Sequence, residues 1–310
     1  MKNRAAGRVI LLILLLTAGC SPLSEVSQTP SPVPEIQELP TLTPPLNPSP
    51  PAPDASSTAT DVPNLTAEPV ALDQCPRRTG QVDEFEFKSP RDGEIIQGQI
   101  FLPPCYQDQY QEDYPVVYLL HGAFADDSQW VDLGVIETAE RMINSGEIQP
   151  FIMVFPLDSG TNNPRENLFG EYLVKDLVPW IDSRYRTANE RDQRAIGGIS
   201  RGGNWAVRLG MLHWGIFSAV GSHSAPLFRG DLGRIPDWYG TIPPEMTPDL
   251  YLDVSAGDQE LVQVQAFEEI LAEVGAVYEY HLNPGLHTET YWSSHLDEYL
   301  IWYSSQINGE

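Results

Sequence analysis

From about residue 82 onward the apolar positions fall into two recurring patterns. Val82 to Phe87 alternates polar and apolar residues, and so does Ile96 to Leu102. A period of two belongs to a strand with one covered face, so both segments read as early antiparallel strands. Pro115 to Leu120 and Phe151 to Phe155 are unbroken apolar runs, as expected of central strands buried on both faces. Leu173, Leu177, Trp180 and Ile181 recur at helical spacing and predict a helix over 168–184. Beyond it the pattern predicts strands over 194–198, 217–221, 250–254 and 277–281. It predicts helices over 204–212, 261–274 and 288–304. Strands alternating with helices imply a mostly parallel central sheet flanked by helices, an α/β fold.

Residues 20–73 show neither period. Pro30-Ser31-Pro32-Val33-Pro34 and Pro44 to Pro51 are dominated by residues that lack a backbone donor or add nothing to a core. This segment reads as an extended, solvated stalk. Residues 1–19 form an export signal. Lys2, Arg4 and Arg8 precede a short apolar core from Val9 to Leu16, well below the ~20 residues a membrane span requires. Thr17-Ala18-Gly19-Cys20 then resembles the end of a bacterial lipoprotein signal. That resemblance implies diacylglycerol on Cys20 and an exported domain held to a membrane through this lipid. Residues 74–310 remain as one domain, a suitable size for a single α/β core.

The formal net charge of −25 disfavours nucleic acid, anionic lipid headgroups and polyanionic substrates as partners. Three cysteines are present. With Cys20 lipidated in an oxidising compartment, Cys75 and Cys105 are left to pair, and the bridge would add roughly 3–4 kcal/mol on the loop-entropy view. No His-Glu-x-x-His stretch or cysteine spacing suggests a metal, and no cofactor is implied.

Gly198-Ile199-Ser200-Arg201-Gly202 has the form G-x-S-x-G, placed after a predicted strand and before a predicted helix. That is the setting of a nucleophile elbow. Side chains at 198 and 202 would collide where strand and helix cross. A serine hydroxyl needs a base. Of six histidines, His287 is best placed, in the loop Asn283-Pro284-Gly285-Leu286-His287 after the last predicted strand. His281 and His295 fall inside elements and His213 at a helix end. His121 precedes the elbow and reads as an anchor for its loop. Asp258 and Glu260, in the turn after strand 250–254, are both candidates for the acid that orients the base, and either could cap the next helix instead. An oxyanion would be held by the Arg201 N–H and by an N–H in His121-Gly122-Ala123-Phe124, best Ala123. Residues 225–249 fit neither period and read as a loop over this site. Phe124, Trp205, Trp238, Tyr239 and Trp292 are aromatics that could line an acyl pocket or fill the core.

With these residues in place, the stretch from about Val82 to Tyr303 resembles the bacterial putative-esterase family of α/β-hydrolases. That family includes S-formylglutathione hydrolases, feruloyl and acetylxylan esterases, enterochelin esterases and mycolyltransferases. The similar segments are Phe101-Leu102-Pro103-Pro104, Tyr114 to Gly122, and Ile199 to Gly203, together with Gly285-Leu286-His287 before Trp292. The resemblance implies a serine carboxylic-ester hydrolase working through an acyl-serine on small-molecule or glycan-linked esters. Its alternatives are a cell-envelope acyltransferase with the same residues and, in another class, an inactive binding module. It implies Glu260 as the acid, three positions after a glycine, giving Ser200, His287 and Glu260 as catalytic residues. Arg201 stands where the family often carries Met, and its charge could favour substrates bearing a carboxylate.

Overall fold

A computed structural model describes residues 78–307 apart from 109–112 and 162. The export signal, Cys20, the stalk and Cys75 lie outside the described residues.

The chain builds one eight-stranded sheet, in the order β1-β2-β4-β3-β5-β6-β7-β8. β1 (Gln81–Lys88) and β2 (Ile95–Leu102) form the predicted antiparallel hairpin, with Phe85 opposite Gly98. β2 runs antiparallel to β4 (Ile152–Pro156), and every later pairing is parallel. The central strands β3 (Val116–Leu120), β4 and β5 (Arg194–Ile199) are buried along their whole length, as continuous apolar runs require.

Because successive strand residues face opposite ways, the sheet divides its apolar side chains between two cores. Val116, Tyr118 and Leu120 join one; Val117 and Leu119 join the other. Leu173, Leu177 and Ile181 cover the first face, with Trp205 and Leu209 of α5 (Arg201–Leu212) beside them. The second face is covered by α2 (Val135–Ser145) and α9 (Leu296–Ile307), through Met142, Ile143, Tyr299 and Tyr303. The short α1 (Gln129–Asp132) adds Trp130, whose Nε1 donates to Leu120 O at 3.1 Å.

Several expectations shift. The predicted helix over 168–184 is real but composite: α3 (Phe169–Tyr172), a π turn over Leu173–Leu177, and α4 (Val178–Arg184). Pro179 near the start of α4 has no N–H to give the preceding turn, which can therefore widen. The last predicted helix breaks into α8 (Glu289–Ser294) and α9 at His295, whose ring Nδ1 lies 2.7 Å from Tyr291 O and competes for that carbonyl. α2 lies in a stretch for which no element was predicted. β6 (Ala219–His223) starts two positions late, because Phe217 is buried in the core but lies before the ladder begins. Segment 225–249 is no simple loop: it carries α6 (Ile235–Tyr239) and anchors Ile235, Trp238 and Ile242 in the core. β7 (Asp249–Ser255), α7 (Leu261–Val274) and β8 (Tyr278–Asn283) stand close to where the pattern put them.

Candidate active site

Ser200 sits between β5 and α5 with φ 53° and ψ −116°, a conformation a non-glycine residue adopts only when its surroundings enforce it. The enforcement is close packing. A Cβ on Gly198 would lie 2.3 Å from the Gly202 carbonyl carbon, and one on Gly202 would lie 2.2 Å from Leu120 O. Ser200 N donates to His223 O at 2.8 Å, tying the elbow to the neighbouring strand. The two glycines of the motif collide with backbone as expected, and the serine is pressed out of the sheet.

The loop after β3 forms the opposite lip. Asp158 N donates to His121 Nε2 at 2.9 Å, so the ring proton is on Nδ1, which lies 2.8 Å from Gly122 O. Burial pulls the His121 pKa down, and the nearby Arg201 charge adds to this against the raising effect of the Gly122 carbonyl. His121 is therefore a neutral strut, the anchoring role expected of it. Gly122 N donates to Gln129 Oε1 at 2.8 Å. These bonds hold the Gly122-Ala123-Phe124 backbone beside Ser200, on the rim of one cleft.

The base and the acid come from loops after β8 and β7. Gly257 N donates to Gly285 O at 3.0 Å and joins the two loops, and a Cβ at 257 would lie 2.7 Å from that same oxygen. His287 Nδ1 lies 3.0 and 2.9 Å from the two carboxylate oxygens of Asp258. Trp292 packs edge-to-face on the imidazole, with centroids 5.0 Å apart, and its Nε1 donates to Ser224 Oγ at 3.2 Å. Burial opposes ionisation of Asp258, but the His287 hydrogen bond and the Glu260 N–H (2.8 Å) outweigh it and hold its pKa below 3.8.

Glu260, the expected acid, is not the carboxylate set against the imidazole. Glu260 stands at the first position before α7, and its carboxylate accepts from Gln263 Nε2 at 2.6 Å and Gln259 Nε2 at 3.4 Å. Its backbone N–H serves Asp258 while its carboxylate is taken by the two glutamines. The preference for Glu260 came from spacing after a glycine, and spacing does not register which way a turn aims its side chains.

Arg201 is also corrected. Its guanidinium is buried; it donates to Asp158 O at 2.8 Å and Gly160 O at 3.1 Å, with Nε 3.4 Å from Asp158 Oδ2. A cation engaged this way is not offered to a substrate carboxylate. Asp158 also accepts from Gly160 N and Asn167 Nδ2 at 2.9 Å and from Trp205 Nε1 at 3.0 Å. It links the β4 exit, the elbow helix and the β3 loop, and nothing in the sequence pattern marked it. Of the candidate aromatics, Phe124 and Trp292 line the cleft, while Trp205 and Trp238 belong to the core and Tyr239 packs against it.

A second buried pair lies beneath the elbow. His223 Nδ1 is 2.7 Å from Asp253 Oδ1, and its Nε2 is 2.9 Å from Tyr303 Oη. Tyr291 and Tyr299 each donate to Asp253 Oδ2 at 2.8 Å. Asp253 was detectable in principle: a carboxylate inside an otherwise apolar strand must have partners.

Ser200, His287, Gly122, Ala123 and Arg201 line one cleft of about 540 Å³. Of segment 225–249, expected as a loop over the site, only Pro226 to Arg229 form part of the cleft wall. Glu260 and Glu289 also border it.

The family described as "putative esterase" matches residues 89–232. An esterase of Mycobacterium tuberculosis is 34% identical over 151 residues, which span 45% of this chain and 31% of that protein. The chain thus spans about a third of that relative's length. Among solved structures, a ferulic acid esterase superposes with a TM-score of 0.66 at 23% identity, over 73% of this chain and 99% of that one. The S954A mutant of a feruloyl esterase module from Clostridium thermocellum, complexed with sinapinate, superposes with a TM-score of 0.63 at 17% identity, covering 76% and 92%. The fold is that of the α/β-hydrolases. In this fold the mostly parallel sheet, the elbow after β5 and the late acid and histidine loops gather at one edge of the sheet.

Proposed function

We propose that this α/β-hydrolase is a serine carboxylic-ester hydrolase with Ser200 as nucleophile, His287 as base and Asp258 as the acid. The observation that carries the reading is the bidentate contact of Asp258 with His287 Nδ1 in the cleft that also exposes the strained Ser200. An imidazole held through Nδ1 presents Nε2 to a substrate site, in the tautomer a general base requires. Ser200 Oγ attacks the ester carbonyl as its proton passes to His287 Nε2. The Ala123 and Arg201 N–H groups receive the oxyanion. The imidazolium protonates the leaving alcohol, an acyl-serine remains, and water activated by His287 releases the acid. Asp258 stays ionised throughout, as its lowered pKa favours.

The named relatives point to small-molecule or glycan-linked esters, and exposed Phe124 beside Trp292 suits a flat acyl group. The test is Ser200→Ala: hydrolysis of a p-nitrophenyl ester should fall at least about 10³-fold, and labelling by a fluorophosphonate should vanish. Wild-type turnover by the variant would dismiss the reading. We further propose, on the sequence features above, that the enzyme is exported and lipid-anchored through Cys20, with Cys75 bridged to Cys105.

A further inference from the structure

The loop that carries His287 has little of its own to hold it. From Pro284 to Thr290 every residue except His287 is exposed, and Gly285 brings no side chain. The first buried side chains beyond the loop are Tyr291 and Trp292 of α8. Both lead to Asp253. Tyr291 Oη donates to Asp253 Oδ2 at 2.8 Å. Trp292 Nε1 donates to Ser224 Oγ at 3.2 Å, and Ser224 N donates to Asp253 O at 2.8 Å. The Tyr291 ring in turn backs the loop: a Cβ on Gly285 would lie 2.7 Å from Tyr291 Cδ2, so the ring fills the space a side chain there would need. Gly285 O accepts from Gly257 N at 3.0 Å, next to Asp258.

The other oxygen of Asp253 reaches the elbow. Oδ1 is 2.7 Å from His223 Nδ1, and His223 O accepts the Ser200 N–H at 2.8 Å. Asp253 is fully buried. A buried, paired carboxylate adds little stability over an apolar side chain of similar volume, so its presence calls for another reason. Its three donors supply one, because each is fixed in place relative to the others.

We propose that Tyr291, anchored on Asp253, is a positioning residue that sets His287 against the elbow serine. Neither Tyr291 nor Asp253 lines the cleft, so both act through the histidine loop and not on substrate. The inference rests on the ester-hydrolase reading above. Tyr299 is a matched control. It donates to the same Asp253 oxygen at the same 2.8 Å and is equally buried, but it stands in α9 and its ring packs on His223. Phenylalanine at 299 would keep that packing.

The test compares wild type, Tyr291→Phe and Tyr299→Phe on one p-nitrophenyl ester. Rates are counted per site titrated with a fluorophosphonate, so that only competent molecules contribute. Each variant loses one hydrogen bond to Asp253, and the two should melt at similarly lowered temperatures. Tyr291→Phe should lower kcat by about tenfold or more with KM within about twofold, since a misplaced base costs chemistry and not binding. Tyr299→Phe should keep kcat within about twofold. An unchanged kcat in Tyr291→Phe, equal losses in the two variants, or a loss carried by KM would overturn the proposal. Failure of the underlying reading looks different: wild type would neither turn over any ester nor react with a fluorophosphonate.

Discussion

Two carboxylates two positions apart have opposite fates in the same turn. Asp258 is buried against His287, while Glu260 faces glutamines at the start of α7. Asp258→Asn should therefore lower kcat by about 10³–10⁴, because an amide can impose the wrong imidazole tautomer. Glu260→Gln should stay within a few-fold, and steady-state kinetics on one p-nitrophenyl ester compare the two. Equal losses would reopen the assignment. The same aspartate has a pH signature. Its native pKa lies below the ordinary 3.8, so its contribution to stability is complete above that value and is lost as pH falls through the native pKa. The stability gap between wild type and Asp258→Asn should thus close in acid, as denaturant melts at neutral and low pH would show. Ser200 and His287 were legible from the chain because motif, order and loop position agree. Choosing between Asp258 and Glu260 needed a side-chain direction that no residue count contains.

At the scale of elements, the elbow works because β5 and α5 cross at contact distance. Gly202 has the backbone oxygen of Leu120 where a Cβ would go, and backbone cannot yield as a flexible side chain can. Gly202→Ala should cost about 3 kcal/mol or more. Gly215→Ala, where a Cβ meets nothing within 4 Å, should stay within about 0.5 kcal/mol. Urea melts of the two variants decide this, and a well-folded Gly202→Ala would show that the crossing is looser than described. Strands and long helices were readable because burial imprints a period on them. α2 escaped notice, the closing helix was drawn through the break at His295, and the 225–249 segment hid α6. α2 itself carries a clear helical period, with Val135, Ala139, Met142 and Ile143 facing the core, so only in the other two cases did a local backbone contact or a core anchor outweigh the pattern.

For the whole molecule, Cys20 and Cys75 lie outside the described residues, while Cys105, the proposed partner of Cys75, is buried within them. Mass spectrometry of the membrane fraction should find diacylglycerol on Cys20 and a peptide bridging Cys75 to Cys105. Recovery of an unmodified Cys20 from a soluble fraction would remove the anchor. Within the described residues the sheet's edge collects groups from β3, β4, β5, β7 and β8. Buried polar links hold them in register: His121 to Asp158, Asp158 to Arg201, and His223 to Asp253.

By itself the chain determined the α/β class, the near position of most strands, the serine elbow and the histidine loop, because periodicity and turn chemistry are local properties. Only the tertiary structure decided which carboxylate faces the base and that the Arg201 charge is engaged by Asp158. Those facts depend on which side chains are brought within about 3 Å of one another, the range of a hydrogen bond, by strands far apart in the chain.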